Sequence, residues 1–235
     1  MPDMEPTMPL EAVKIDEKTY RIEDNGVRSL LFIGTERALL VDTGFGQAES
    51  LKKLVETLTD KPVMLVVSHA DFDHIGNNAE FGTAYMHPSE MSRFSQNETP
   101  NAEIAPIWEG EIIDIGGRSF EVILIPGHTP GSIALLDREN RIILTGDSIS
   151  SGPIFMFGEG RNIPAYIMSM EKLAGMKDAF DEIYPAHSDI PLPPEQIDKS
   201  IEAAKKLLAG ELSPEDPPFP LPAKVYMHNG AGFFY

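Results

Sequence analysis

Two runs of short apolar segments, each followed by a helical pattern, most strongly constrain the fold of this chain of 235 residues. The segments are rich in β-branched residues and are bounded by turn residues, which is typical of strands. Two sheets packed face to face, with helices on their outer faces, would bury both faces of both sheets. The sequence therefore predicts a mixed α/β (α+β) fold, a four-layer αββα sandwich, formed as a single domain over residues 1–235. The predicted strands are Ala12–Ile15, Thr19–Glu23, Ser29–Gly34, Ala38–Asp42, Val63–Val67, Ala84–His87, Glu111–Ile115, Ser119–Ile125, Ser132–Leu136, Arg141–Leu144 and Glu182–Tyr184.

Three segments carry the signals of helices. Gln47–Thr59 has apolar residues on one helical face, and Pro164–Met176 and Pro194–Ala209 each begin with a proline, which is favoured in the first turn. The proline-rich stretch Glu211–Pro222 predicts an extended connector. We expect the tail from Lys224 to Tyr235 to add edge structure.

The absence of cysteine limits the chemistry that this chain can perform. It excludes disulfides, thiolate nucleophiles, iron–sulfur clusters and thiolate-bound zinc, so any metal ion must be held by nitrogen and oxygen. The first ten residues lack the basic and apolar stretches of a signal peptide. No apolar run approaches the length of a membrane span. We therefore expect a cytoplasmic protein with no membrane partner.

The charge of the chain argues against a nucleic-acid partner. The formal net charge is −18, and the basic residues are scattered along the sequence. A nucleic-acid binder needs a basic surface that displaces counterions from phosphates. We therefore expect a small-molecule substrate and no nucleic acid, while the oligomeric state stays open.

One segment concentrates four side chains that can bind metals within six positions. His69, Asp71, Asp73 and His74 follow directly after the predicted strand Val63–Val67. In an extended loop, alternate side chains project in the same direction, so the first three share one side. The remaining histidine can then point toward a second ion. The spacing favours a metal site over a solvated acidic loop.

Three more residues of the same chemistry occur later, each where a strand passes into a loop. His128 lies in Pro-Gly-His-Thr-Pro-Gly, Asp147 in Thr-Gly-Asp, and His187 in Tyr-Pro-Ala-His. Loops at strand ends are the usual position of functional groups. Each residue taken alone would more often be an ordinary surface or core residue, but the seven together favour a metal cluster.

This order of motifs resembles that of the metallo-β-lactamase-fold hydrolase superfamily, over nearly the whole chain. The family pattern is His-x-His-x-Asp-His, followed by a histidine, an aspartate and a last histidine. The early Val41-Asp42-Thr43-Gly44 also resembles the family's Asp-Thr-Gly turn. The resemblance implies the four-layer αββα sandwich of that family, with a site for two metal ions.

The resemblance also implies a role for each residue. His69, Asp71 and His128 would bind the first ion, Asp73, His74 and His187 would bind the second, and Asp147 would bridge them. Asp42 would orient one of the ligand histidines from behind. Asp73 and Asp147 would also take part in catalysis.

Asp71 is a departure from the family pattern, because it stands where the motif has its second histidine. Oxygen then replaces nitrogen, and the set of donors becomes harder and more anionic. Such a set still suits zinc, and it also makes manganese and iron possible. We expect two divalent metal ions as cofactors, with zinc first and manganese or iron as alternatives.

The resemblance implies a binuclear metal-dependent hydrolase that uses a metal-bridging hydroxide. We expect a small ester, thioester or lactone as substrate. An apolar wall beside the metals would be supplied by Phe155, Met156, Phe157, Tyr166 and Met168.

Three alternatives stay open. The first is a diiron oxidoreductase of the flavodiiron type that lacks its flavin module. The second is a metallo-nuclease or phosphodiesterase of the same superfamily, and the third is a non-catalytic metal-binding domain.

Overall fold

The computed structural model describes residues 9–46, 50–96 and 102–235. These residues form two compact units. The first unit contains the described residues up to Ile107 together with Ile112–Ser119, and the second contains Trp108–Glu111 and Phe120–Tyr235. The single domain expected from the sequence stays a prediction. No helix in these described ranges is long and apolar enough to cross a membrane.

The first unit is built on a sheet whose strands, among the described residues, follow one another in chain order. The first four strands pair antiparallel. The last four, starting with the fourth, pair parallel. The strands are β1 (Glu11–Asp16), β2 (Thr19–Asp24), β3 (Val27–Ile33), β4 (Ala38–Val41), β5 (Val63–Val66), β6 (Thr83–Met86) and β7 (Glu103–Pro106).

A two-residue turn fixes the register between β2 and β3. Asn25 and Gly26 both have positive φ, at 51° and 90°, as the tight hairpin turn requires. Asp24 therefore pairs with Val27, and the strands continue in register to Thr19 and Phe32.

Among the residues that the structure describes in this unit, two α-helices accompany the sheet, α1 (Leu51–Leu58) and α2 (Met91–Gln96). Ser50 caps α1, because its side-chain oxygen accepts a hydrogen bond from the amide of Lys53 at 3.2 Å. Leu51 and Val55 are buried against the sheet core, as the amphipathic pattern predicts. The predicted start of this helix, at residues 47–49, lies outside the described residues. A short strand, β8 (Ile112–Asp114), lies in the unit's second segment.

The second unit holds a sheet in which β9 (Ser119–Leu124), β10 (Ile133–Asp137) and β11 (Ile142–Gly146) pair antiparallel. Later in the chain, β13 (Glu182–Pro185) adds to β11 in parallel. A smaller sheet combines β12 (Pro153–Phe155), β14 (Val225–His228) and β15 (Ala231–Phe234), so the tail forms edge structure as expected.

The helices of the second unit are α3 (Ile163–Ala174) and α4 (Glu195–Leu208), within two residues of the predicted bounds. Asn162 caps α3, because its side-chain oxygen accepts from the amide of Ala165 at 2.9 Å. Apolar side chains from both helices and from the sheets form one core, which includes Ile143, Tyr166, Met170, Leu173, Phe180, Ile197 and Phe233.

Candidate metal centre

In the first unit, the parallel pairing of β4 and β5 brings Asp42 next to Ser68. Val41 pairs with Val66, so the residues just beyond both strands become neighbours. Asp42 accepts hydrogen bonds from the amide of Ser68 at 2.7 Å and from its hydroxyl at 2.6 Å. Asp42 has a φ of 63°, a left-handed conformation that aspartate tolerates better than most residues. The carboxylate is thereby fixed in a buried position.

Asp42 also orients His74. Its second oxygen lies 2.9 Å from Nδ1 of that histidine, which is fully buried. A carboxylate only accepts hydrogen bonds, so Nδ1 carries the proton and Nε2 keeps its lone pair. That lone pair is available as a metal ligand. Asp42 therefore fixes the ring orientation and tautomer of His74, and the roles of both residues toward a metal stay predictions.

Ser68 orients His69 through a similar chain of hydrogen bonds, although we assigned Ser68 no role from the sequence. Its hydroxyl donates to Asp42, so its oxygen must accept from Nδ1 of His69, 3.0 Å away. Nε2 of His69 then keeps its lone pair as well. The rings of His69 and His74 are 4.0 Å apart between centroids. One carboxylate thus sets the tautomer of two neighbouring histidines.

Two carboxylates face these histidines. The Oδ2 atom of Asp71 lies 3.5 Å from Nε2 of His69. The Oδ2 atom of Asp73 lies 3.6 Å from Nε2 of His74. Both aspartates are largely buried, with side chains 10% and 15% exposed. The first unit therefore offers two imidazole–carboxylate pairs.

The second unit offers the remaining three residues at strand ends. Asp147 follows β11 and His187 lies two residues beyond β13, and these two strands are parallel neighbours. Nε2 of His187 lies 3.4 Å from one oxygen of Asp147, and Nε2 of His128 lies 3.7 Å from the other. Asp147 thus has one histidine near each oxygen, and its bridging role stays a prediction.

His128 is held by a backbone carbonyl on its ring and by an arginine side chain on its own carbonyl. Its Nδ1 donates to the carbonyl oxygen of Phe155 at 2.9 Å, which leaves the lone pair on Nε2. Arg161 donates to the carbonyl oxygen of His128. The preceding Gly127 has a φ of 148°, and a Cβ there would lie 2.4 Å from Cα of Tyr166. Only glycine allows the turn to pack this close to α3.

The donor atoms within each unit fit divalent metal ions. Two donors bound to one zinc ion at about 2.1 Å and near-tetrahedral angles lie about 3.4 Å apart. The four imidazole–carboxylate separations are 3.4 to 3.7 Å. These values exceed the hydrogen-bond range of about 2.7–3.2 Å, so direct hydrogen bonds do not explain them. Nitrogen and carboxylate oxygen are ligands that suit zinc, manganese and iron.

Two residues beside this first-unit cluster had no signal in the sequence. Arg93, in α2, donates through Nε to the Oδ1 atom of Asp71. Glu90, which is fully buried, accepts a hydrogen bond from the amide of Ala70 at 2.7 Å. Both lie about twenty residues from the motif, and only the folded chain brings them to it.

A further carboxylate supports the loop after β4. Asp24 accepts from the amide of Phe45 at 2.8 Å and is almost fully buried. Burial raises the pKa of this carboxyl above its ordinary value, and the amides of Phe45 and Gly46 counteract part of that shift. Phe45 in turn packs against the exposed Phe72, with ring centroids 5.6 Å apart.

The five residues expected to form an apolar wall differ in their burial. Phe155 and Phe157 are half-buried and lie 5.9 Å apart between ring centroids, and the backbone carbonyl of Phe155 contacts His128. Met156 and Tyr166 are instead buried in the core, so their assignment to a wall was wrong. Tyr166 faces inward because its hydroxyl donates to the carbonyl of Ser148 at 2.9 Å, and burial raises its pKa. Met168 is exposed on α3.

Comparison with known proteins identifies relatives of this chain. The sequence model of the metallo-beta-lactamase superfamily matches residues 23–211. The acyl-coenzyme A thioesterase MBLAC2 of Gallus gallus is 25% identical over 213 residues, covering 74% of this chain and 76% of that protein. The hydroxyacylglutathione hydrolase GloC of Haemophilus influenzae is 30% identical over 144 residues, covering 54% of this chain and 68% of that protein.

Solved structures share the fold. A metallo-beta-lactamase from Pontibacter korlensis superimposes with a TM-score of 0.71 at 17% identity, covering 84% of this chain and 99% of that one. The metallo-beta-lactamase DIM-1 gives a TM-score of 0.71 at 15% identity, covering 86% and 100%. This likeness confirms the predicted fold class.

Proposed function

Because the chain belongs to the metallo-beta-lactamase superfamily and is a metal-dependent hydrolase, we propose that it cleaves a thioester of a small acyl group at two divalent metal ions. The relatives support the class of substrate, since one is an acyl-coenzyme A thioesterase and another acts on hydroxyacylglutathione. The single observation that carries the proposal is the set of imidazole–carboxylate separations of 3.4 to 3.7 Å.

The ligand assignment follows the order of the family's motifs. We assign His69, Asp71 and His128 to the first ion, Asp73, His74 and His187 to the second, and Asp147 to both. The hydrogen bonds within each unit support it, because they direct Nε2 of His69, His74 and His128 toward carboxylates. Zinc is the ion we propose, since imidazole and carboxylate donors at these separations suit it.

When bound, such ions acidify a water molecule and polarise the carbonyl of the substrate. The water oxygen bonds to the thioester carbon, and the carbon–sulfur bond breaks. We assign the proton released by the water to the carboxylate of Asp73 and from there to the thiolate that leaves. Asp42 and Ser68 keep the histidines in the tautomer that the site needs.

The half-buried rings of Phe155 and Phe157 supply the apolar surface for the acyl group. The backbone carbonyl of Phe155 accepts from His128, so the segment that carries these rings contacts a proposed ligand. An apolar surface with a few polar groups suits a small ligand.

A panel of substrates tests the proposal. Purified protein loaded with zinc is assayed against acyl-coenzyme A, acylglutathione, a lactone, a β-lactam and a phosphodiester. We expect the highest kcat/KM on a thioester, loss of turnover with chelator, and recovery with zinc. The variant Asp147→Asn serves as the inactive control. Turnover confined to the phosphodiester, or turnover that survives chelation, would contradict the proposal.

A further inference from the structure

Asp71 is the one departure of this chain from the histidine motif, and the structure shows that it has a cationic partner. Arg93 donates from Nε to Oδ1 of Asp71, while Oδ2 of the same carboxylate faces His69. The Asp71 side chain is 10% exposed and that of Arg93 is 29% exposed. A carboxylate this far buried is costly unless a cation or hydrogen bonds compensate its charge.

We propose that Arg93 is a positioning residue that lets a carboxylate stand where the family motif has a neutral histidine. It occupies one oxygen of Asp71, so the other is the atom presented toward the ligand site. Its positive charge also offsets the negative charge that the carboxylate adds. The inference rests on the proposed metal site, although not on the class of substrate.

The backbone between His69 and Asp71 is held by the same segment that carries Arg93. Glu90 accepts from the amide of Ala70, which lies between His69 and Asp71. Glu90 ends a short 3₁₀ turn and Arg93 lies in α2, which follows it directly. The segment 88–96 thus fixes both the main chain and the carboxylate of the His-x-Asp step. Asp71 therefore has little freedom to exchange its two oxygens.

The offset of charge changes the expectation about metal preference. From the sequence, Asp71 makes the donor set more anionic and moves it toward manganese or iron. The Asp71–Arg93 pair is neutral in sum, as is the imidazole that the family motif has at this position. Zinc thus stays the proposed ion even though an oxygen donor replaces a nitrogen.

A double-mutant cycle tests the pairing. The variants are Asp71→His, Arg93→Met and the double variant, each in the full chain. The measured quantity is the dissociation constant for Zn²⁺, obtained by competition with a chromophoric chelator. A cavity of about 210 Å³, lined by Asp71, Phe72, Arg93 and Gln96 among others, gives the imidazole room. Arg138→Met is the matched control, because Arg138 forms an exposed ion pair with Glu121.

We expect Asp71→His alone to weaken zinc binding about tenfold, because the guanidinium then faces a metal-bound neutral ring. Adding Arg93→Met should recover most of that loss, whereas Arg93→Met in the native background should give no gain. Arg138→Met should change nothing in either background. If Arg93 only stabilised the fold, Arg93→Met would change the dissociation constant for Zn²⁺ by the same factor in both backgrounds. That result would overturn the proposal.

A second pair of variants covers the case in which Asp71→His does not fold. Asp71→Asn is nearly isosteric and removes the charge and one of the two acceptor oxygens. In the same cycle, Arg93→Met should again improve zinc binding in the Asp71→Asn background and give no gain in the native background. Thermal unfolding of the metal-free variants reports folding separately. Zinc affinity is measured without any substrate, so a failure on thioesters would leave this test unaffected.

Discussion

The carboxylate of Asp42 accepts a hydrogen bond from Nδ1 of His74 at 2.9 Å, although the two residues are separated by 32 positions in the chain. The same carboxylate accepts the hydroxyl of Ser68, through which it also acts on His69. A single buried charge behind the site therefore determines which nitrogen of each ring faces the ligands.

Replacing this carboxylate should weaken metal binding while the fold survives. Asp42→Asn keeps the shape of the side chain but removes the charge and one of its two acceptors. We expect zinc affinity to fall about 10- to 100-fold, the usual effect of losing a partner that orients a ligand histidine. Competition with a chelator measures it. Asp137→Asn is the control, because Asp137 is also buried and accepts hydrogen bonds from Asn140, and it is not among the residues assigned to the metals. Equal losses of zinc affinity in both variants would contradict the role of Asp42.

Removing Asp71 should empty one metal position before the other. In Asp71→Ala the first ion loses a donor, while the second keeps Asp73, His74 and His187 in our assignment. We expect the metal content to fall from about two ions per chain to about one at limiting zinc. Elemental analysis after gel filtration gives the ratio. An unchanged content would mean that Asp71 only neutralises Arg93.

Gly127→Ala should destabilise the second unit. The new Cβ would lie 2.4 Å from Cα of Tyr166, at a φ of 148° that L-residues rarely adopt. We expect a loss of about 2 kcal/mol or more in the free energy of unfolding, together with weaker binding at His128. Gly152→Ala is the matched control, since its Cβ meets nothing closer than 3.7 Å. Denaturant titration of both variants decides the point.

Asp24 should make stability depend on pH in an unusual direction for an aspartate. Burial raises its pKa in the folded chain, so folding favours the protonated form. Its contribution to stability is then full below the ordinary pKa and is lost as pH rises through the raised value. Relative to Asp24→Asn, the native chain should lose stability as pH rises from about 4 toward neutrality. Denaturant titrations of both proteins across this range measure the difference, and parallel curves would contradict the shift.

The strands and long helices could be predicted from the sequence because their signals are local. Alternating and β-branched runs gave the strands of both units, and the turn at Asn25 and Gly26 marks one hairpin directly. The elements that escaped prediction are short. Met91–Gln96 is shorter than two helical turns, so its period is not visible, and Glu103–Pro106 and Pro153–Phe155 each include a proline, which weakens the signal of a strand.

The candidate site also contains residues with a local sequence signal and residues that only the fold brings to it. The seven proposed ligands are histidines and aspartates that follow predicted strands in a fixed order, and the sequence displays that order directly. Arg93 and Glu90 act through contacts that only the fold creates, and no spacing predicts them. Ser68 had a weak signal, since it is a polar residue at the end of a buried strand, directly before His69. Tyr166 was misassigned because its phenol gave no hint that it faces the core.

The parallel alignment of β4 with β5, and of β11 with β13, has a thermodynamic consequence. The first strand pair places Asp42 beside Ser68, and the second places Asp147 near His187. These positions are set when the sheets form, so the loss of conformational freedom occurs during folding. A cation that binds after folding orders little of the chain, so little of its binding free energy is lost to ordering. The metal-free chain should therefore fold by itself, unlike small zinc domains in which the ion supplies the folding energy.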